Sequence, residues 1–168
     1  HANLRVYTND DLIGVEMAGA LKNVLAIAAG LCDGLGLGDN AKGALLARGV
    51  AEIARVGEKL GGRRETFFGL SGVGDVITTC LSRHSRNRAL GERVGRGEPL
   101  ADAIAAIGQV VEGADTTRTV VEMARREGEA VPIATEVAAV LFEGKAPAEA
   151  MSDLMLRTLK PEWGPAPR

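Results

Sequence analysis

The apolar positions of this chain fall into long stretches with helical spacing. From Asn9 to Leu31 (NDDLIGVEMAGALKNVLAIAAGL) almost every residue is apolar or small, and Glu16, Lys22 and Asn23 interrupt the run near its middle. A segment apolar on every face reads as a helix sunk in the centre of a domain. Thr8, Asn9 and Asp10 are its candidate caps. A second helix is predicted over 41–60, with Leu45, Leu46, Val50, Ile53, Ala54, Val56 and Leu60 as its apolar positions and Gly61-Gly62 as its stop. Between the two, CDGLGLGDN (32–40) breaks the helix with glycines at 34, 36 and 38.

Downstream, RRETFFGLSGVGDVITTCLS reads as short helical pieces interrupted by glycine, and SRHSRNR (82–88) leads into a further helix. LADAIAAI is one short helix, IGQVVEGADT an extended connector, and TTRTVVEMARREG a helix ended by Gly128. Pro132 and Pro147 sit where the first turns of the last two helices are expected. At the other end, Leu4, Val6 and Thr8 alternate with Arg5, Tyr7 and Asn9, a short strand pattern. One strand cannot make a sheet, so this one is expected to complete a sheet lying outside the chain. The pattern predicts an all-α multi-helix bundle with one short N-terminal strand. It divides into 1–8 (strand or linker), 9–160 (helical domain) and 161–168 (a flexible, proline-rich tail).

Composition narrows the function. At 168 residues the chain is long enough for one domain with a real core. A net charge of −2 gives no global attraction to nucleic acid or anionic membranes, and an aromatic content of 3% leaves little for base stacking. Cys32 and Cys80 lack metal-like spacing, and with only two histidines they argue against zinc and against a disulfide framework. A reducing, cytoplasmic compartment fits. The Asn9–Leu31 run approaches membrane-spanning length, but its internal charges, its glycines and its lack of an aromatic belt argue against a span. The opening HANLRVYTND reads as the middle of a longer protein.

Three places carry chemistry. Lys22 has Ala18, Gly19, Leu25 and Ala26 as its helical neighbours, which leaves open space above the amine. It either snorkels to solvent or faces a ligand, and Asn23 on the adjacent face offers a donor and an acceptor. Asp75 and Thr79, one turn apart, can present a carboxylate and a hydroxyl to one point, or Asp75 can simply cap its helix. Ser85, Arg86 and Asn87 place a hydroxyl, a guanidinium and free N–H groups at a helix start, an arrangement suited to anions. The nearby arginines also admit a nucleic-acid reading, although on an exposed helix most of them would simply be solvated. His84 is expected at the surface, without a role. The glycine-rich 32–40 segment lacks the strand–GxGxxG–helix context of a dinucleotide site and reads as a tight turn.

Taken in order, VE-x-x-GALKN (15–23), CDGLGLGDN, GLSGVGDVITTC, SRNR and GQVVEG resemble the C-terminal, all-helical substrate domain of bacterial-type NAD(P)-dependent glycerol-3-phosphate dehydrogenase. The resemblance implies a bundle like the C-terminal domain of 6-phosphogluconate dehydrogenase. It also implies hydride transfer between dihydroxyacetone phosphate and sn-glycerol 3-phosphate, which supplies phospholipid synthesis. Carried over residue by residue, Lys22 becomes the catalytic acid/base. Asn23, Asp75, Thr79, Ser85, Arg86 and Asn87 become substrate contacts, and Arg86, Val110 and Glu112 become contacts to NAD or NADP. No metal is implied. The partners implied are a phosphorylated three-carbon substrate, the protein's own N-terminal Rossmann domain, which would hold most of the cofactor, and a second copy in a homodimer. Because that dinucleotide-binding half is absent from the sequence, the chain alone is not expected to turn over substrate. The rivals are another β-hydroxyacid-type dehydrogenase, against which SRNR and VVEG tell, and a non-catalytic helical dimerisation module.

Overall fold

A computed structural model describes residues 5–158. Among these the regular structure is helical: α1 (Leu12–Gly34), α2 (Gly38–Lys59), α3 (Arg64–Phe68), α4 (Asp75–Leu81), α5 (Arg86–Gly95), α6 (Leu100–Ile107), α7 (Glu112–Glu127), α8 (Pro132–Phe142) and α9 (Pro147–Met155), with one π-helical turn (Leu70–Gly74) between α3 and α4. No strand occurs among the described residues, and 5–8 carry no regular structure. Leu4 of the expected strand lies outside the described residues, and 5–9 form no strand: a strand needs a partner for its N–H and C=O groups, and the described residues offer none. The 161–168 tail lies outside the described residues.

The long apolar helix α1 is the axis, packed against α2, α4, α5, α7 and α8. Its burial is uneven. Every residue from Val24 to Cys32 is buried, whereas Leu12 and Ile13 are exposed and Glu16 faces solvent. Only its second half is thus apolar and covered on all faces, and the lysine sits where that covering ends. By length and composition α1 could cross a membrane, but half of its apolar window is buried by other helices, as expected of a core helix.

Glycine spacing explains how α1 and α5 meet. Gly30 and Gly34 on α1 face Gly91 and Gly95 on α5, four residues apart on each helix. A Cβ at Gly30 would lie 2.1 Å from the Arg88 carbonyl oxygen, and one at Gly91 would lie 2.0 Å from that of Ile27. The helices cross backbone to backbone because nothing larger than hydrogen fits between them. This crossing fixes where the first turn of α5 lies relative to α1.

Several boundaries differ from those the pattern predicts. The cap of α1 is Asp11, whose Oδ1 accepts from Gly14 N at 2.9 Å. Its Oδ2 takes the Arg63 N–H and the Thr66 hydroxyl, at 2.8 and 2.6 Å. A carboxylate able to cap one helix and also tie down the α2–α3 turn prevails over Thr8, Asn9 and Asp10. Helix α2 starts at Gly38 rather than Ala41, because Gly36 and Gly38 take positive φ and complete the turn in fewer residues. Helix α7 starts at Glu112, so VVEG is not wholly extended. Glu112 and Asp115 occupy its first turn, where carboxylates favour the N-terminal dipole, and the hydroxyls of Thr116 and Thr117 return to the carbonyls of Glu112 and Gly113.

A buried carboxylate ties α2 to α8. Glu52, 3% exposed, accepts from Ile133 N and Ala134 N, both at 3.0 Å, and so caps the first turn of α8 from a different helix. Burial raises its carboxyl to about 7 despite those two bonds.

Candidate active site

Lys22 leaves α1 at the edge of the buried half, and its side chain is 22% exposed. Its Nζ donates to Asp75 Oδ2. Neither sequence alternative fits alone, since the stem is covered but the amine is held by a carboxylate. The space beside it is open: a Cβ added at Gly19, one turn earlier, would touch nothing within 4 Å.

Asp75 arrives there through the π-helical turn. The preceding glycines allow close folding, and a Cβ at Gly72 would fall 1.9 Å from the Phe67 carbonyl oxygen. Wider π turns commonly mark functional positions. This one delivers Asp75 as the first residue of α4, facing α1. Its Oδ1 accepts from the Thr79 hydroxyl at 3.3 Å, so Lys22, Asp75 and Thr79 form one polar chain. Asp75 does not cap α4; that position belongs to Gly74.

The second group lies on the first turn of α5. Ser85 is the N-cap, its hydroxyl accepting from Arg88 N at 3.2 Å. Asn87 Nδ2 donates to Asn23 Oδ1 at 2.9 Å, joining α5 to the residue that follows the lysine. Asn87 Oδ1 accepts from Gly113 N, also at 2.9 Å, which brings in the start of α7. Lys22 is thus joined to Asp75 and Thr79, and Asn23, the next residue of α1, to Asn87, while Ser85 caps α5 two residues before Asn87. Arg86 directly precedes Asn87, and Val110 and Glu112 lie just before Gly113; all three are exposed, and their side chains form no hydrogen bond among the described residues. His84 is exposed and only its backbone N–H is engaged, with Ser82 Oγ at 3.1 Å.

Spacing alone did not single out the support beneath this site. Arg88, the last residue of SRNR, does not face an incoming anion. It is held by Asp33 at 2.7 Å and Glu92 at 3.2 Å, while Lys42 meets the other Asp33 oxygen at 2.6 Å. Asp33 at the end of α1 thus pins the first turn of α5. The usable signal was an acid in a glycine-rich turn with two distant cations, which no local pattern pairs. Cys32 and Cys80 are buried, and desolvation raises their thiols to about 11 and about 12, so neither is a ready nucleophile.

Residues 11–152 match a family model described as the C-terminus of NAD-dependent glycerol-3-phosphate dehydrogenase. Among curated proteins, the glycerol-3-phosphate dehydrogenase [NAD(P)+] of Clostridium perfringens is 53% identical over 160 residues, which is 95% of this chain and 48% of the relative. That of Geobacillus thermodenitrificans is 54% identical over 162 residues, 96% of this chain and 47% of the relative. Among solved structures, glycerol-3-phosphate dehydrogenase from Coxiella burnetii superposes with a TM-score of 0.88 at 44% identity, over 91% of this chain and 47% of that one. The chain spans about half the length of the relatives it matches. It belongs to the NAD-dependent glycerol-3-phosphate dehydrogenase family and corresponds to its C-terminal helical domain.

Proposed function

We propose that this chain forms the substrate-side half of an NAD(P)-dependent glycerol-3-phosphate dehydrogenase, which interconverts dihydroxyacetone phosphate and sn-glycerol 3-phosphate. The observation that carries the reading is the Lys22–Asp75–Thr79 chain standing beside the Asn23–Asn87 pair, with open space over Gly19. An amine held by one carboxylate and facing free volume is equipped to move a proton at a substrate oxygen. In the oxidising direction the C2 hydroxyl proton passes to the neutral amine of Lys22, and Asp75 stabilises the ammonium that forms. In the reducing direction the ammonium returns that proton to the oxygen developing on C2 and stabilises its negative charge beforehand. When bound, the nicotinamide cofactor takes up or supplies the hydride at C2.

The donors at the first turn of α5 suit the substrate phosphate. Arg86 is exposed and without an ion pair among the described residues, Ser85 is the cap, and the first N–H groups of a helix lack intrahelical partners. The residues at the start of α7, next to Gly113, suit an edge contact to the cofactor. Val110 offers an exposed apolar side chain, and the Glu112 carboxylate suits a ribose or amide better than a phosphate. In this family reading most of the cofactor would rest on an N-terminal Rossmann domain, with the present chain matching the family's C-terminus. A cytoplasmic homodimer serving phospholipid synthesis belongs to the same reading.

In the full-length enzyme, Lys22→Ala should lower kcat by about 10²–10⁴-fold, with the melting temperature preserved. A rate near that of the wild type would defeat the assignment.

A further inference from the structure

Asn23 and Asn87 present a problem of polarity. A side-chain amide has a donor end and an acceptor end, and either could face a ligand. Here a group that cannot be reversed settles the choice. The Gly113 backbone N–H only donates, so it requires Asn87 Oδ1 on its side, at 2.9 Å. That turns Asn87 Nδ2 toward Asn23, whose Oδ1 accepts at 2.9 Å. With its oxygen occupied, Asn23 has its Nδ2 donors left for the site. Position 113 has no room for a side chain: a Cβ there would stand 2.5 Å from Asn87 Oδ1 and 3.0 Å from the Asn23 carbonyl oxygen.

We infer that Gly113 is a positioning residue which, acting through Asn87, fixes Asn23 as a hydrogen-bond donor toward an acceptor oxygen of the ligand beside Lys22. The ligand group at this point is thus a carbonyl, hydroxyl or phosphate oxygen and not an ammonium. The start of α7, which carries Glu112, is thereby linked mechanically to the substrate side of the site. The inference rests on the functional reading above and extends it to a residue that touches no substrate.

The test is a double-mutant cycle on kcat/KM for glycerol 3-phosphate in the full-length enzyme. Asn23→Ala and Gly113→Ala should each lower it about tenfold, and the double variant should be no worse than Asn23→Ala alone, because Gly113 acts only through Asn23. Losses that multiply, or a Gly113→Ala enzyme with unchanged kcat/KM, would overturn the inference. Should Gly113→Ala fail to fold, Asn87→Asp serves instead. It keeps an acceptor for Gly113 but offers Asn23 no donor, which forces that amide to reverse. Its loss should largely vanish in the Asn23→Ala background, and an undiminished loss there overturns the inference equally. Lys22→Ala separates the two levels. A normal rate in that variant removes the functional reading itself, whereas an inactive Lys22→Ala with multiplying losses at 23 and 113 removes the relay alone.

Discussion

The two halves of α1 solve opposite problems with the same helix. From Val24 to Gly34 it is sealed, with nine consecutive buried residues and two glycines pressed against the backbone of α5. From Leu12 to Asn23 it is open on one side, and Lys22 and Asn23 meet partners from α4 and α5. The sealed half holds α5 at a fixed distance, and that distance lets Asn87 reach Asn23. Packing at one end is thus the condition for chemistry at the other. The division also separates two kinds of cost: a change in the sealed half should be felt in stability, and one in the open half in turnover.

Lys22→Ala and Gly91→Ala should therefore give mirrored outcomes. The first removes the proton-moving amine, with the largest effect expected of any single change here and little effect on melting. The second places a methyl 2.0 Å from the Ile27 carbonyl oxygen, where only backbone can yield. Overpacking of this kind should cost on the order of 3 kcal/mol, measured by denaturant unfolding. Should Gly91→Ala leave stability within 0.5 kcal/mol or so of wild type, as a surface change would, the two helices are not locked as described.

Glu52 sharpens the comparison, because it is a buried carboxyl used only for structure. Glu52→Gln should lose about 2 kcal/mol, since an NH2 group then opposes one of the two N–H donors at the start of α8. The pH dependence has a definite sign. Its carboxyl lies at about 7 in the fold against 4.5 ordinarily, so between those values the folded state binds more protons than the unfolded one. Its contribution to stability is then fully present below about 4.5 and is lost as the pH rises through about 7. Wild type should gain on Glu52→Gln as the pH falls across that window, and a difference independent of pH would count against a raised carboxyl.

Much of this was legible in the sequence, for identifiable reasons. The boundaries of α6 and the proline starts of α8 and α9 matched their signals, because the pattern and the prolines act locally. The i,i+4 spacing of Asp75 and Thr79 put both on one face of a helix, which is where they stand. What could not be read was pairing across distance. Nothing local tells Asp11 to hold Arg63 and Thr66, Asp33 to bind Arg88 and Lys42, or Glu52 to cap a helix some eighty residues away. The start of α7 was misplaced for the same reason, since Gly113 N finds its partner on α5. The Gly30/Gly34 and Gly91/Gly95 spacing was visible, but a glycine pair in one helix does not say which helix will meet it.

The smallest effect expected is at Arg86, and it separates binding from chemistry within the open half. Its side chain is exposed and makes no ion pair among the described residues, so its removal should leave the fold intact. Arg86→Ala should raise KM for glycerol 3-phosphate about tenfold, or roughly 1.4 kcal/mol of binding, while kcat falls much less. Because the contact would lie in solvent, added salt should weaken it, and KM should rise more steeply with ionic strength in wild type than in the variant. The control is a substrate without phosphate: for dihydroxyacetone, Arg86→Ala and wild type should have nearly equal kcat/KM. Equal losses on both substrates would mean that Arg86 serves the site's architecture or the cofactor, and that the phosphate is held by Ser85 and the first N–H groups of α5.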